Sequence, residues 1–339
     1  MTQQLRPNDA RLGWHGAISF DDTDDWRMPW RLPYDELALF PADALRERAA
    51  MPAGVRLAFH SDTEIVAGNV VPQPADPEGE YIGIDLYCDG KFVGSREMVE
   101  QAEFRFDGLT VGDKLLELWL PQHAEFKLRS LTISDGASIR PYDDTRPKWV
   151  TYGSSITHCR AAGSPSNTWP AFAARERGLN LTCLGYGGNC HLEPMVARMM
   201  RDLPADFLSM KVGINIYGSD SLSPRTFQSA IIGFVQIVRE KHPDTPFVVI
   251  SSIYSPGRED TLNGVGFTLD DMREEAAAAV SAMQGRGDRN LHYVSGLELF
   301  NADLAHLLPD DLHPNAKGYK IMGQNFADKV AAKYFSLPA

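Results

Sequence analysis

Four short polar segments of the chain hold the residue types that acyl transfer through a serine requires. Gly153-Ser154-Ser155-Ile156-Thr157 is small and turn-forming and can present a hydroxyl. Gly185-Tyr186-Gly187-Gly188-Asn189 carries glycines, which tolerate positive φ and let backbone N–H groups approach a ligand closely. Gly213-Ile214-Asn215 supplies one side-chain amide, and Leu308-Pro309-Asp310-Asp311-Leu312-His313-Pro314-Asn315 sets a carboxylate three residues before a histidine. A serine hydroxyl is a weak nucleophile until an imidazole accepts its proton, and the imidazole works best when a carboxylate fixes its tautomer and stabilises its cation. The oxyanion that then forms needs donors, which backbone N–H groups and an Asn amide can provide. This chemistry calls for no cofactor and no metal.

The elements around these segments are expected to bring them to one edge. After the turn-rich stretch Pro141-Tyr142-Asp143-Asp144-Thr145-Arg146-Pro147, apolar strand-like runs alternate with helical periods. Trp149 to Gly153, Leu179 to Gly185, Phe207 to Asn215, Phe247 to Ile253 and Leu291 to Leu297 read as strands. Helices are expected over Thr168 to Arg177, Leu192 to Leu203, Pro224 to Lys241 and Leu269 to Met283, with a last one from about Ala316. Such alternation predicts a parallel sheet covered by helices on both faces, with its chemistry at the carboxyl ends of the strands. The residues up to Tyr142 differ. Val55 to Ser61 and Glu64 to Gly68 flank one turn, Ile82 to Ser95 reads as a hairpin about Asp89-Gly90, and three more β-rich runs follow, a pattern that predicts a β-sandwich of jelly-roll type. The predicted domains are residues 1–142 and 147–339.

Composition sets limits. The chain has 339 residues, 43% hydrophobic and 23% charged, enough for packed cores. Its net charge of −12 opposes nucleic-acid phosphates and anionic membrane surfaces, so a small, uncharged partner is expected. The N-terminal stretch has no apolar h-region, and Ala230 to Val238 is interrupted by Gly233 and Gln236. A cytoplasmic protein is expected. Cys88, Cys159, Cys183 and Cys190 are expected as free thiols, because no CxxC pair accompanies Cys183, Cys190 and His191 to make a metal site.

Taken in order, the four segments resemble the SGNH hydrolases, the GDSL esterase and lipase superfamily. GSSIT stands where that family often has GDSIT, and GGN, GIN and DDLHPN follow. The resemblance implies a flavodoxin-like three-layer α/β/α domain with Ser155 as nucleophile, His313 as general base and acid, and Asp310 as its orienting carboxylate. It makes the Ser155 N–H, the Gly188 N–H and the Asn215 side chain the oxyanion donors. The first part of the chain resembles the β-sandwich of a two-domain subgroup through Gly83-Ile84-Asp85-Leu86-Tyr87, with Arg31-Leu32-Pro33 and Glu117-Leu118-Trp119-Leu120-Pro121. Two departures stand out: Ser154 replaces the common aspartate, and Ile216 follows GIN where Asp is usual.

Rival assignments lie close by. Gly187 competes with Gly188 by one position and Asp311 with Asp310, while His158 and His191 stand near enough to line a pocket. A metal reading of Asp310, His313 and His306 lacks a further ligand set. Trp14, Trp26 and Trp30 are better placed than Trp119 to reach a sugar, although most sandwich aromatics are core. The expected function is a serine esterase acting through an acyl-enzyme on a small-molecule ester. The alternatives are an acyltransferase that passes the same acyl group to a sugar or natural-product hydroxyl, and a carbohydrate-binding protein without catalysis.

Overall fold

A computed structural model describes residues 2–77 and 79–335. These fall into two compact units, one formed by residues 1–145 with Gly163–Thr168, the other by Arg146–Ala162 with Trp169–Ala339.

The first unit is a sandwich of two six-stranded sheets. In chain order its strands are β1 (Thr2–Leu5), β2 (Gly13–His15), β3 (Ser19–Asp22), β4 (Arg27–Trp30), β5 (Arg56–Ser61), β6 (Ile65–Val70), β7 (Gly83–Cys88), β8 (Lys91–Glu97), β9 (Glu103–Asp107), β10 (Lys114–Trp119), β11 (Leu128–Ser134) and β12 (Ile139–Pro141). A short helix, α1 (Asp43–Ala49), precedes β5. One sheet runs β3-β4-β11-β6-β9 with β1 added on β11, and the other runs β12-β5-β10-β7-β8 with β2 added on β5. All named strand pairs of the two sheets are antiparallel. Alternation drives the layering: in β9, Phe104 and Phe106 turn into the core while Glu103, Arg105 and Asp107 face out. The expected hairpin is present, with Asp89 at φ 48° and Gly90 at φ 73°, as a type I′ turn demands. The two runs flanking residues 62–63 do not pair, however. β5 and β6 lie in opposite sheets, so this turn is a crossing between layers rather than a hairpin.

Asp85 shows why the Gly83–Tyr87 segment has its composition. Its fully buried carboxylate accepts hydrogen bonds from Ser95 Oγ (2.5 Å), from the Ser166 N–H (3.0 Å) and from Ser166 Oγ (2.5 Å), and Tyr87 Oη lies 3.2 Å from the same hydroxyl. A buried carboxylate needs such donors to offset lost hydration. The segment Gly163–Thr168 is thereby tied to β7.

The second unit is built on five parallel strands, β13 (Lys148–Gly153), β14 (Asn180–Gly185), β15 (Phe207–Lys211), β16 (Phe247–Ile250) and β17 (Leu291–Val294), in the order β14-β13-β15-β16-β17. This is the flavodoxin-like order, whose switch point lies where successive connections leave β13 in opposite directions. Its main helices are α2 (Ser155–His158), α3 (Trp169–Glu176), α4 (Pro194–Asp202), α5 (Ile214–Gly218), α6 (Pro224–Arg239), α7 (Leu269–Gly285) and α8 (Ala316–Phe326). α3 packs on α8, whereas α6 packs on both α4 and α7. Local chemistry sets the starts: Ser223 and Thr226 make a capping box ahead of α6, with Pro224 at its first position, and Thr268 and Asp271 do the same for α7. In α6, Phe227, Ile231, Phe234, Val235 and Val238 recur at helical spacing and are all buried. Among the described residues no helix is long and apolar enough to cross a membrane.

Candidate active site

Ser155 begins the one-turn helix α2 at the carboxyl end of β13. Ser154 caps that helix, its Oγ accepting the Ile156 N–H at 3.3 Å, so the residue that departs from the common aspartate performs a capping role open to either side chain. The helix fits because its neighbours are glycines. A Cβ on Gly185 would come within 2.5 Å of the His158 nitrogen, and one on Gly153 would meet the Thr157 hydroxyl. From the other side the Trp169 indole N–H donates to the Ile156 carbonyl at 2.9 Å. Ser155 is half-buried among buried neighbours. As the first helical residue it has an N–H with no partner within the helix.

His313 lies 158 positions away in sequence, yet its Nε2 is 2.8 Å from Ser155 Oγ. Its Nδ1 is 2.6 Å from Asp310 Oδ2. Nδ1–H therefore donates to the carboxylate and Nε2 is left to accept from the serine, a tautomer assigned from these partners. Asp310 Oδ1 accepts the His313 N–H (2.7 Å) and the Leu312 N–H (3.1 Å), so both carboxylate oxygens are fixed. Burial pushes the Asp310 carboxyl up, but the backbone and ring hydrogen bonds from His313 outweigh it and hold the group below its ordinary value. Asp311, the rival acid, is exposed and takes a left-handed conformation (φ 58°) with its carbonyl turned to Ser255 Oγ. The ring is thus faced by Asp310.

The two remaining segments come from the strands that flank β13. Gly188, at φ 73°, is the third residue of a turn closed by the Asn189 N–H on the Tyr186 carbonyl (3.0 Å), a position that favours glycine. The Gly187 N–H points to His158 Nδ1 at 3.4 Å. Of the two glycines, Gly188 is therefore the one whose N–H has no acceptor among the described residues. Asn215 lies in the one-turn helix α5 rather than at a bare strand end, because β15 stops at Lys211 and Gly213 turns the chain at φ 122°. Asn215 Oδ1 accepts the Cys190 N–H at 3.1 Å, which leaves Nδ2 as the free end of the amide. Ile216 is fully buried; the helix is held instead through Tyr217, whose N–H bonds to the Gly213 carbonyl at 2.8 Å and whose own carbonyl accepts Asn263 Nδ2 at 3.1 Å.

The neighbouring histidines divide in role. His158 is buried and supports the glycine turn from within. His191 has Nε2 3.0 Å from the Gly188 carbonyl and Nδ1 2.7 Å from Ser221 Oγ, so it braces the same turn from outside. Cys183 and Cys190 are buried and in no disulfide, and burial pushes the Cys190 thiol up to about 12. His306 is exposed, with Nδ1 against the Asp303 carbonyl. Trp14, Trp26 and Trp30 are half-buried and Trp119 is buried. Sequence reasoning missed His191's partner Ser221 and the residues behind Asp311, because both come from loops outside the four segments.

Residues 147–331 match the profile of the GDSL-like lipase/acylhydrolase family, and residues 12–129 match that of the SsfX3 N-terminal domain. The chain belongs to the GDSL-like lipase/acylhydrolase family. Among solved structures, the salicylyl-acyltransferase SsfX3 from a tetracycline biosynthetic pathway is 36% identical, with a TM-score of 0.90 over 98% of this chain and 97% of that one. A GDSL-like lipase from Bacteroides ovatus is 24% identical, with a TM-score of 0.80 over 100% and 99% of the two chains. A family two carbohydrate esterase from Clostridium thermocellum, 14% identical with a TM-score of 0.67 over 95% and 98%, shares the fold. No curated relative matches. The two-domain SGNH architecture is thus established for this GDSL-family chain, and its enzymatic class is ester hydrolysis or acyl transfer.

Proposed function

We propose that the protein is a cytoplasmic serine esterase in which Ser155 Oγ attacks the carbonyl of a small, uncharged ester. His313 Nε2 takes the hydroxyl proton, and Asp310 stabilises the resulting imidazolium. The tetrahedral oxyanion is held by the Ser155 N–H, the Gly188 N–H and Asn215 Nδ2. Collapse expels the alcohol, protonated by His313, and leaves an acyl-enzyme that water cleaves by the same steps in reverse. The observation that carries this reading is the position of one imidazole between Ser155 Oγ at 2.8 Å and Asp310 Oδ2 at 2.6 Å. The test is mass spectrometry of the protein mixed with p-nitrophenyl acetate and quenched early. An acetyl group on the Ser155 peptide is expected, and an adduct on another residue would reject the assignment.

A second reading keeps the acyl-enzyme and passes the acyl group to a hydroxyl of a sugar or natural product. Its support is the 36% identity to a salicylyl-acyltransferase across both parts of the chain. Product analysis with a panel of hydroxylated acceptors separates the two. Free acid alone supports the esterase, whereas a new ester supports transfer.

Asn215→Ala is expected to lower kcat about a hundredfold, the usual cost of one oxyanion donor. The substrate's ground state gains little from that donor, so KM should hold nearly steady. Steady-state kinetics on p-nitrophenyl acetate check this, and a rise in KM with kcat intact would remove Asn215 from the oxyanion site.

A further inference from the structure

The turn between the acid and the base is held by residues that lie in none of the four segments. Asp311 separates Asp310 from His313 together with Leu312 and is left-handed, an uncommon state for a residue with a Cβ. That conformation turns the chain so that the Asp310 carboxylate can accept both the Leu312 and His313 N–H groups and still face the ring. The Asp311 carbonyl is caught from two sides, by Ser255 Oγ at 2.7 Å and by Arg258 Nη1 at 3.0 Å. Arg258 Nη1 also donates to Ser255 Oγ (3.1 Å), so the two donors form one clamp.

The clamp is itself anchored. The Ser255 N–H donates to Glu259 Oε1 at 2.8 Å, and Glu259 pairs at 2.8 Å with Arg273 of α7. Arg273 is buried and donates to the Ser252 and Ile253 carbonyls at 3.1 and 3.3 Å, at the carboxyl end of β16. The chain of contacts therefore runs from the rigid sheet to a single carbonyl beside the acid–base pair. The same loop reaches the oxyanion helix at its far end, where the Thr261 carbonyl accepts the Tyr217 hydroxyl at 3.1 Å and Asn263 donates to the Tyr217 carbonyl.

We propose that Arg258, acting with Ser255 through the Asp311 carbonyl, is a positioning residue of the reaction that keeps Asp310 and His313 in register with Ser155. A charge-assisted donor holds a strained turn more firmly than a neutral one, and only small errors in the placement of reacting groups are tolerated. The inference rests on the proposed Ser155 mechanism, so wild type and Ser155→Ala are measured first on p-nitrophenyl acetate. Equal turnover by those two would overturn the mechanism itself, before the clamp is examined.

The clamp is tested with Arg258→Met, which keeps the aliphatic stem, Arg258→Lys, which keeps a cationic donor, and Ser255→Ala, which removes one donor only. Arg258→Met is expected to lower kcat about tenfold at unchanged KM, as a small displacement of catalytic groups does. Arg258→Lys is expected to recover much of that loss, and Ser255→Ala to fall between wild type and Arg258→Met. Wild-type kcat in Arg258→Met would overturn the proposal. So would a loss that Arg258→Lys does not relieve, or one that falls only in proportion to the folded fraction measured by circular dichroism. Should Arg258→Met fail to fold, Ser255→Ala decides: reduced kcat at constant KM supports the clamp, and wild-type kcat rejects it.

Discussion

Replacing Ser155 with alanine is expected to lower the turnover of p-nitrophenyl acetate by about 10⁴-fold or more, the scale on which serine hydrolases lose activity without their nucleophile. The change is local. Ser155 Oγ bonds to His313, while the cap of α2 comes from Ser154 and its packing from Gly153, Gly185 and Trp169, so the variant should fold as the parent does. KM should change little, since the alanine removes only the attacking atom. Hydrolysis and acyl transfer share the acyl-enzyme, and both must disappear together. Undiminished turnover would reject the nucleophile, and loss of transfer with hydrolysis retained would mean that two sites are at work.

The segments that carry the candidate chemistry were legible because each sits where a strand gives way to a turn, and turn chemistry is local. The order of the four segments carried the family resemblance that singled out Ser155, Gly188, Asp310 and His313, while residue types alone left Gly187 and Asp311 as rivals; the β/α alternation places the carboxyl ends of parallel strands at one edge. Legibility failed where the deciding contact is distant in sequence. Arg258 and Asp311 are 53 positions apart and His191 and Ser221 are 30 apart; nothing near either partner announces the other. The sandwich shows the same limit. Its hairpin about Asp89-Gly90 is encoded by two residues, whereas the crossing between β5 and β6 follows from which faces the two sheets bury together, and the short strands β1 to β4 offer too few residues for a period to appear. Asn215 was placed at a strand end because Ile214 and Ile216 prolong the apolar run; both are buried, but on a helical turn that Gly213 starts.

Lys211 is the other residue whose replacement should have a large effect, and here the effect is on stability. It is the last residue of β15, fully buried, and its Nζ has no hydrogen-bond partner among the described residues. Burial pushes its ammonium down to about 8, with the neighbouring thiols of Cys190 and Cys159 opposing the shift. In the unfolded chain the same group keeps its ordinary value near 10.5. Below pH 8 both states hold the proton and the folded state bears the full cost of an unpaired buried charge, about 3 kcal/mol on the scale of 1.36 kcal/mol per pKa unit. Between pH 8 and 10.5 the unfolded chain binds more protons than the folded one, so this group's contribution to stability rises with pH. Lys211→Met keeps the apolar stem and removes the amine. At pH 7 it should be more stable than the parent by about 3 kcal/mol in urea denaturation, and the gain should shrink as the pH is raised toward 10. Buried Cys159, Cys190 and Tyr152 are shifted upward and pull the absolute curves the other way at high pH, so the difference between variant and parent is the quantity to follow. A variant less stable than the parent at pH 7, or a difference that stays constant from pH 7 to 10, would mean that Lys211 Nζ is solvated or paired in the folded protein. Gly153, the register partner of Lys211 at the end of β13, leads directly into the candidate nucleophile's helix, so the methionine variant measures what a buried amine costs beside that helix.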